Sequence, residues 1–216
     1  MTKVRTVGLL QDALDREYAW RLRELNDLRM AIRTARADTA QTLIRAGVTM
    51  LYAHWEGFIK ASTEVLLEYL AFQGLSYRQL RRCYIALGLK GQLAMLAQTT
   101  KPRPATAALD FILDNLDRPA NLPFRDWIDT ESNLSSRAFA SIAGWVGIDV
   151  SRYETKFPLI DTSLVGRRNR IAHGEYLDLD AGSYIDLSDH VIELLRWYKT
   201  DIENIIALKA YLSPAA

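Results

Sequence analysis

Apolar positions recur three and four residues apart along most of the chain, the spacing of helices that bury one face. The longest series runs Ile44, Val48, Leu51, Trp55, Ile59, Ser62, Leu66, Tyr69. It predicts a core helix over 38–73, opened by an Asp38 cap with Gln41 as its capping-box partner. A second series, Leu187, Val191, Leu194, Leu195, Tyr198, Ile202 and Ile205, predicts a helix over 183–212, with Ser183 as cap, Asp186 as box partner and Pro214 beyond its end. Residues 1–37 carry Leu14, Tyr18, Leu22, Leu25, Leu28 and Ile32 on an otherwise highly charged helix. Between these long elements, 76–98 reads as short helices broken at Gly88 and Gly91, TKPRPAT as a linker turn, and 105–116 as a helix. The stretch 115–130 is irregular, 135–146 a short helix, and 160–173 a helix of mixed character. Strand-like alternation is nearly absent. The pattern predicts one all-α domain over 1–216, an antiparallel helical bundle with short helices inserted before the 160–173 helix.

Composition narrows the function. A chain of 216 residues, 49% hydrophobic, can bury a core of its own. No apolar run reaches membrane-spanning length and the first residues lack the apolar centre of a secretory signal, so a cytoplasmic protein without membrane contact is expected. The single cysteine, Cys83, excludes an intramolecular disulfide. His54, His173 and His190 are scattered, so neither a metal nor another cofactor is expected. The net charge of +1 hides an asymmetry: 69–109 has no acidic residue but carries Arg78, Arg81, Arg82, Lys90, Lys101 and Arg103, while carboxylates cluster after His173. Arg78, Arg81 and Arg82, with Tyr77 and Tyr84 beside them, read either as a solvated surface or as cations and ring faces for a nucleic acid strand.

The stretch LVGRRNRIAHGE, 164–175, holds the most unusual chemistry. At about 100° per residue from Ile160, Leu164 and Ile171 fall near 40° and 20°, and Ala172 and Val165 near 120° and 140°. Arg168 falls at about 80°, inside that apolar stripe; Asn169 and His173 share one edge, and Arg167 and Arg170 face outward. A guanidinium in an apolar seam is costly unless paired, so Arg168 belongs either to a buried ion pair or to a seam that opens to an anion. His173 ends the helix with Gly174 as a left-handed cap, a position that suits a histidine to proton transfer near neutral pH. On the 38–73 helix Trp55 lies at the centre of the stripe and Glu56 at its edge. Glu56 is therefore a candidate partner for Arg168, or a solvated glutamate, and His54 and Lys60 fall on polar, exposed flanks.

Arg168, Asn169, three residues and His173 resemble the Arg-polar-x-x-x-His motif of the HEPN superfamily. RRNRIAHGE, together with LYAHWEGFIK at 51–60 and ESNLSS at 131–136, is similar in particular to the bacterial MAE-type HEPN-like nucleases over nearly the whole chain. The resemblance implies a HEPN-like bundle and a homodimer that brings two motifs together across a groove. It also implies metal-independent cleavage of single-stranded RNA to 2′,3′-cyclic phosphate and 5′-hydroxyl ends, within a toxin–antitoxin or phage-defence system and beside an antitoxin or defence partner protein. In that chemistry His173 moves the proton, Arg168 meets the charge growing on the phosphoryl oxygens, and Asn169 orients the imidazole or holds a phosphate oxygen. Glu56 supports the site, and Arg167, Arg170, Lys60, Arg78, Arg81 and Arg82 are candidates for the RNA path. Superfamily toxins silenced by a nucleotidyltransferase carry tyrosine two residues after the motif histidine; here Glu175 stands there and Tyr176 follows. The alternative is a catalytically inactive HEPN module that binds RNA, nucleotide or a protein partner.

Overall fold

A computed structural model describes residues 3–125, 127–128, 130 and 133–214. The elements are α1 (Val7–Thr34), α2 (Ala37–Ala71), a short 3-10 turn (Tyr77–Gln79), α3 (Arg82–Gly88), α4 (Lys90–Gln98), α5 (Pro102–Asn115), α6 (Ser136–Trp145), α7 (Ser151–Glu154), a π-helical segment (Leu159–Gly166), α8 (Arg167–Ala172) and α9 (Ala181–Ala207). Among the described residues the only β pairing is two isolated bridges, Ser76 with Pro119 and Leu80 with Leu212.

α2 is the axis of the fold. It buries fifteen residues against six for α1, because α1, α9, and the π segment with α8 pack on different faces of it. Its aromatic core, Trp55 and Phe58, continues through Phe139 of α6 to Tyr153 and Tyr198, with successive ring centroids from Trp55 at 5.1 and 4.9 Å. Thr63 Oγ1 and the Tyr198 hydroxyl, 2.6 Å apart, satisfy each other inside this core.

The predicted caps need correction. Arg36, not Asp38, occupies the cap position of α2, and it makes no side-chain bond; Asp38 lies within the first turn, and Gln41 Nε2 donates to the Leu177 carbonyl at 2.7 Å. α9 begins earlier than expected because Asp180 accepts from both Ser183 N and Ser183 Oγ, at 2.9 and 2.6 Å, a stronger cap than Ser183. It ends at Ala207, short of residue 212. The TKPRPAT stretch is not a linker turn: Pro102 starts α5, where its missing N–H has no helical partner to lose. Gly88 ends α3 as expected, but Gly91 lies inside α4.

His54 is buried, at 4% exposure, instead of exposed. α1 covers that flank of α2 with Trp20, whose ring stands 5.2 Å from the imidazole, and with Glu24, whose Oε2 lies 2.9 Å from Nε2 without hydrogen-bond alignment. Burial lowers the imidazole pKa against the opposing pull of Glu24. The buried Arg21 is its neighbour in this seam, clamped by Glu17 and lying over the Trp20 ring at 4.3 Å. At the other extreme α4 buries no residue and α5 only Ala108, so Leu93, Met95, Leu109, Phe111 and Leu113 remain exposed on a projecting hairpin.

α2 and α9 approach closely where Gly47 meets Tyr184: a Cβ on Gly47 would stand 2.7 Å from the Tyr184 ring. Gly47→Ala should therefore lower stability by about 1–3 kcal/mol through overpacking, despite the better helix propensity of alanine. Gly8→Ala, with nothing within 4 Å of the new methyl, should not. Denaturant unfolding of both variants checks the contrast, and equal stabilities would contradict the close approach.

Candidate active site

The 160–173 helix is not a uniform α-helix. Leu159–Gly166 is wound with i to i+5 bonding before α8 resumes the ordinary pitch. Each such turn takes about one residue more than an α turn, so side chains beyond it drift from their α-wheel positions. Gly166 suits the widened turn, since a Cβ there would stand 3.2 Å from the Asp161 carbonyl oxygen. The Asp161 carboxylate accepts from Ser136 N and Oγ at 2.7 and 2.5 Å, fastening the start of α6 to the segment.

This drift decides where the motif faces. Arg168 is half-buried, and its Nη1 donates to Asn133 Oδ1 at 3.0 Å and to Asn169 Oδ1 at 2.9 Å. Its guanidinium carbon stands 4.8 Å from the centroid of the Tyr52 ring. Among the described residues no carboxylate pairs with it. A cation held by neutral oxygens and a ring face keeps its charge available; the ring contact itself is worth roughly 1–2 kcal/mol at partial burial.

The candidate Glu56–Arg168 pair does not form. Glu56 Oε1 accepts from Thr130 Oγ1 at 2.7 Å and pairs with Lys60 Nζ at 3.1 Å. Tyr52, one turn earlier on the same face, comes between them chemically: its ring takes the guanidinium, and its hydroxyl lies close enough to Glu56 to stabilise the carboxylate charge. Burial opposes that charge, but hydrogen bonds from Thr130, Lys60 and Tyr52 prevail and hold the Glu56 carboxyl below its usual range. Burial first, and then the Glu56 charge, push the Tyr52 phenol up to about 12 even though the Leu134 N–H donates to it.

Leu134 is fastened through both backbone groups: its N–H donates to the Tyr52 hydroxyl at 2.8 Å and its carbonyl accepts from Trp55 Nε1 at 3.1 Å. Asn133 is thereby delivered to Arg168. Glu131 and Ser132, from the ESNLSS stretch, lie outside the described residues.

His173 caps α8 and is exposed; its N–H donates to the Asn169 carbonyl at 3.0 Å. Gly174 follows at φ +78° with its N–H on the Ile171 carbonyl, as the glycine cap expected from the sequence. The imidazole has no side-chain partner among the described residues. Asn169 turns its oxygen to Arg168, so it orients the guanidinium and not the imidazole.

The other candidates scatter. Arg170 is exposed and pairs with Glu175 at 2.9 Å. Arg167, expected to point outward, is half-buried and lines a cleft of about 230 Å³ with Ser163, Ser183, Asp186 and His190, a consequence of the π drift. Lys60 is engaged by Glu56. Arg78 is held two-pronged by Asp117 at 2.7 and 3.2 Å, Arg81 donates to the Gly147 carbonyl at 2.9 Å, and Arg82 is exposed. Tyr77 and Tyr84 are buried at 4% and 1%, so neither ring is free to stack a base. The arginine cluster lies at the end of α2 where Tyr69 meets Tyr211, seventeen residues and about 25 Å along the helix axis from Tyr52. The structure does not bring it to the motif.

Three residues near the motif were given no role from the sequence: Tyr52 and Asn133, which lie within the stretches LYAHWEGFIK and ESNLSS, and Arg45, whose Nη1 donates to the Glu175 carbonyl at 2.7 Å. Tyr52 follows Val48 by one helical turn, a signal that an aromatic flanks the apolar stripe, and Asn133 is marked only by its place in ESNLSS; Arg45 carries no comparable signal.

A family model described as HEPN_MAE_28990:/-like HEPN matches residues 10–211. The chain belongs to the HEPN superfamily. No curated protein and no solved structure matches it. Arg168 and His173, whose spacing resembles the superfamily motif, stand at the two ends of α8, one anchored and half-buried, the other open to solvent. No helix among the described residues of this HEPN chain is long and apolar enough to cross a membrane.

The Glu56 contacts have a pH signature. A carboxyl held below its ordinary value contributes stability that is complete above that value, 4.5, and is lost as pH falls through the folded-state pKa. Glu56→Gln should cost about 1–3 kcal/mol at neutral pH, and the gap from wild type should narrow in acid. Denaturant unfolding across that range checks it; a gap independent of pH would mean that the Glu56 charge contributes nothing.

Proposed function

We propose that this HEPN chain is a metal-independent endoribonuclease that cuts single-stranded RNA to 2′,3′-cyclic phosphate and 5′-hydroxyl ends, within a toxin–antitoxin or phage-defence system. The observation that carries the reading is the Arg168 guanidinium, half-buried on the same short helix that an exposed His173 ends, and held among the described residues by two amide oxygens and a ring, with no carboxylate. A structural arginine is expected to neutralise an acid; among the described residues this one meets none, which leaves its charge for an anion.

The reaction follows from that arrangement. A ribose 2′-oxygen attacks the adjacent phosphorus and gives up its proton. As that P–O bond forms, the bond to the 5′-oxygen breaks, and the departing oxygen takes a proton. Arg168 offers donors to the phosphoryl oxygens as their charge grows, with Asn133 and Asn169 fixing the plane of the fork. His173 exchanges the proton, a contribution of about 10²–10⁴ in rate. One motif supplies one histidine. A homodimer that sets two motifs across a groove supplies both a base and an acid, which is the role assigned to the second copy.

His173→Ala should abolish cleavage and leave helicity and melting unchanged, because an exposed cap side chain contributes within about 0.5 kcal/mol. A gel assay beside circular dichroism checks it, and a parallel loss of helicity would return His173 to a structural role. Arg168→Lys keeps the charge but loses the two-pronged contact, so the rate should fall at least tenfold.

The reaction-level test uses excess EDTA and a substrate with one ribose 2′-hydroxyl replaced by hydrogen. Cleavage should survive the chelator and stop at the deoxy position. Cutting at that position would eliminate the proposed nucleophile, and RNA binding without cutting would make the chain a binding module.

A further inference from the structure

Tyr176 is 70% exposed, three residues beyond the motif histidine. An exposed ring on a loose loop carries no message, but this one does not stand on a loose loop. Three consecutive backbone carbonyls are each held by a side chain: Glu175 O by Arg45 Nη1 at 2.7 Å, Tyr176 O by Arg170 Nη2 at 3.2 Å, and Leu177 O by Gln41 Nε2 at 2.7 Å. Leu177 and Leu179 are buried at 4% and 6%, and the alternation sends Tyr176 and Asp178 outward. The backbone is fixed and the ring is presented, so little ordering entropy remains to be lost on binding.

We propose that Tyr176 is a stacking platform for an RNA base next to the phosphate held at Arg168 and His173. The inference rests on the RNA reading of that motif. Three residues of chain place the Tyr176 Cα within about 11 Å of His173, close enough for a base adjoining the scissile phosphate. The surroundings do not suit an apolar protein surface: the other side chains exposed over 170–178 are Arg170, Ala172, His173, Glu175 and Asp178, with no large apolar group among them. A single exposed ring on a fixed backbone offers a π face, and stacking on such a face holds bases of single strands without reading their sequence. Fixing one base also orients the ribose attached to it, and with it the 2′-hydroxyl that attacks.

The test uses the full chain and an uncleavable 2′-O-methyl single-stranded oligoribonucleotide, with binding read by fluorescence anisotropy. Tyr176→Ala should weaken binding about tenfold, Tyr176→Trp should restore it, and circular dichroism should be unchanged in both. Oligonucleotides with one abasic position moved along the strand should show a penalty at one position in wild type that Tyr176→Ala erases. Equal affinity of wild type and Tyr176→Ala would overturn the platform, as would a Tyr176→Ala change confined to the oligomeric mass in light scattering, which would make the ring a subunit contact. A wild type that cuts RNA while its affinity is indifferent to Tyr176 removes the platform alone. One that binds in a Tyr176-dependent way without cutting removes the nuclease reading alone, and absence of RNA binding removes both.

Discussion

Taking a guanidinium halfway out of water with no carboxylate among the described residues to meet it is the constraint around which this site is built. An unpaired cation costs less at partial burial than in a dry core, but it still needs acceptors and a polarisable surface. Arg168 obtains them from three directions: Asn169 beside it, Asn133 on the loop before α6, and the face of Tyr52 on α2. Each support is itself held. Tyr52 is fixed through its hydroxyl, Asn133 through the two backbone bonds of Leu134, and α6 through Asp161 and Ser136. The long buried helix α2 underlies all of them, which gives its central position a functional meaning beyond packing.

The Glu56 carboxylate belongs to the same arrangement one layer further out. A direct Glu56–Arg168 pair would neutralise the guanidinium and close the site. Tyr52 prevents this by taking the cation on its ring while its hydroxyl serves the carboxylate, and Lys60 and Thr130 absorb the rest of the Glu56 charge. Among the described residues the Arg168 charge therefore has no acidic partner, and it lies within a few residues of an exposed histidine.

The long helices were legible because a three-and-four repeat sustained over 35 residues in α2 and 27 in α9 leaves no other reading. Their ends were not, since Asp180 and Ser183 are both good caps and only the fold selects between them. The motif was legible as residue types, and the glycine cap after His173 followed from local chemistry. Its surroundings were not. The π segment breaks the assumption of constant pitch on which the wheel depends, so Arg167 turned inward unexpectedly. His54 looked polar and exposed on α2 considered alone; α1 buries it, and no pattern within α2 announces that cover. Arg78 and Arg81 formed a basic cluster in sequence, whereas in space they fasten to Asp117 and Gly147 about 25 Å along α2 from the motif. Tyr52 is adjacent to Arg168 because α8 packs on α2, and Asn133 because the loop before α6 folds back on α2.

The proposed roles, a guanidinium for a phosphate and an imidazole for a proton, predict a chemical record on the product. The direct measurement is mass spectrometry of both fragments from a single cut in a defined RNA strand. If the 2′-oxygen is the nucleophile, the upstream fragment ends in a 2′,3′-cyclic phosphate and the downstream fragment begins with a free 5′-hydroxyl. A 3′-hydroxyl facing a 5′-phosphate would mean that water attacked the phosphorus, and would contradict the roles given to Arg168 and His173.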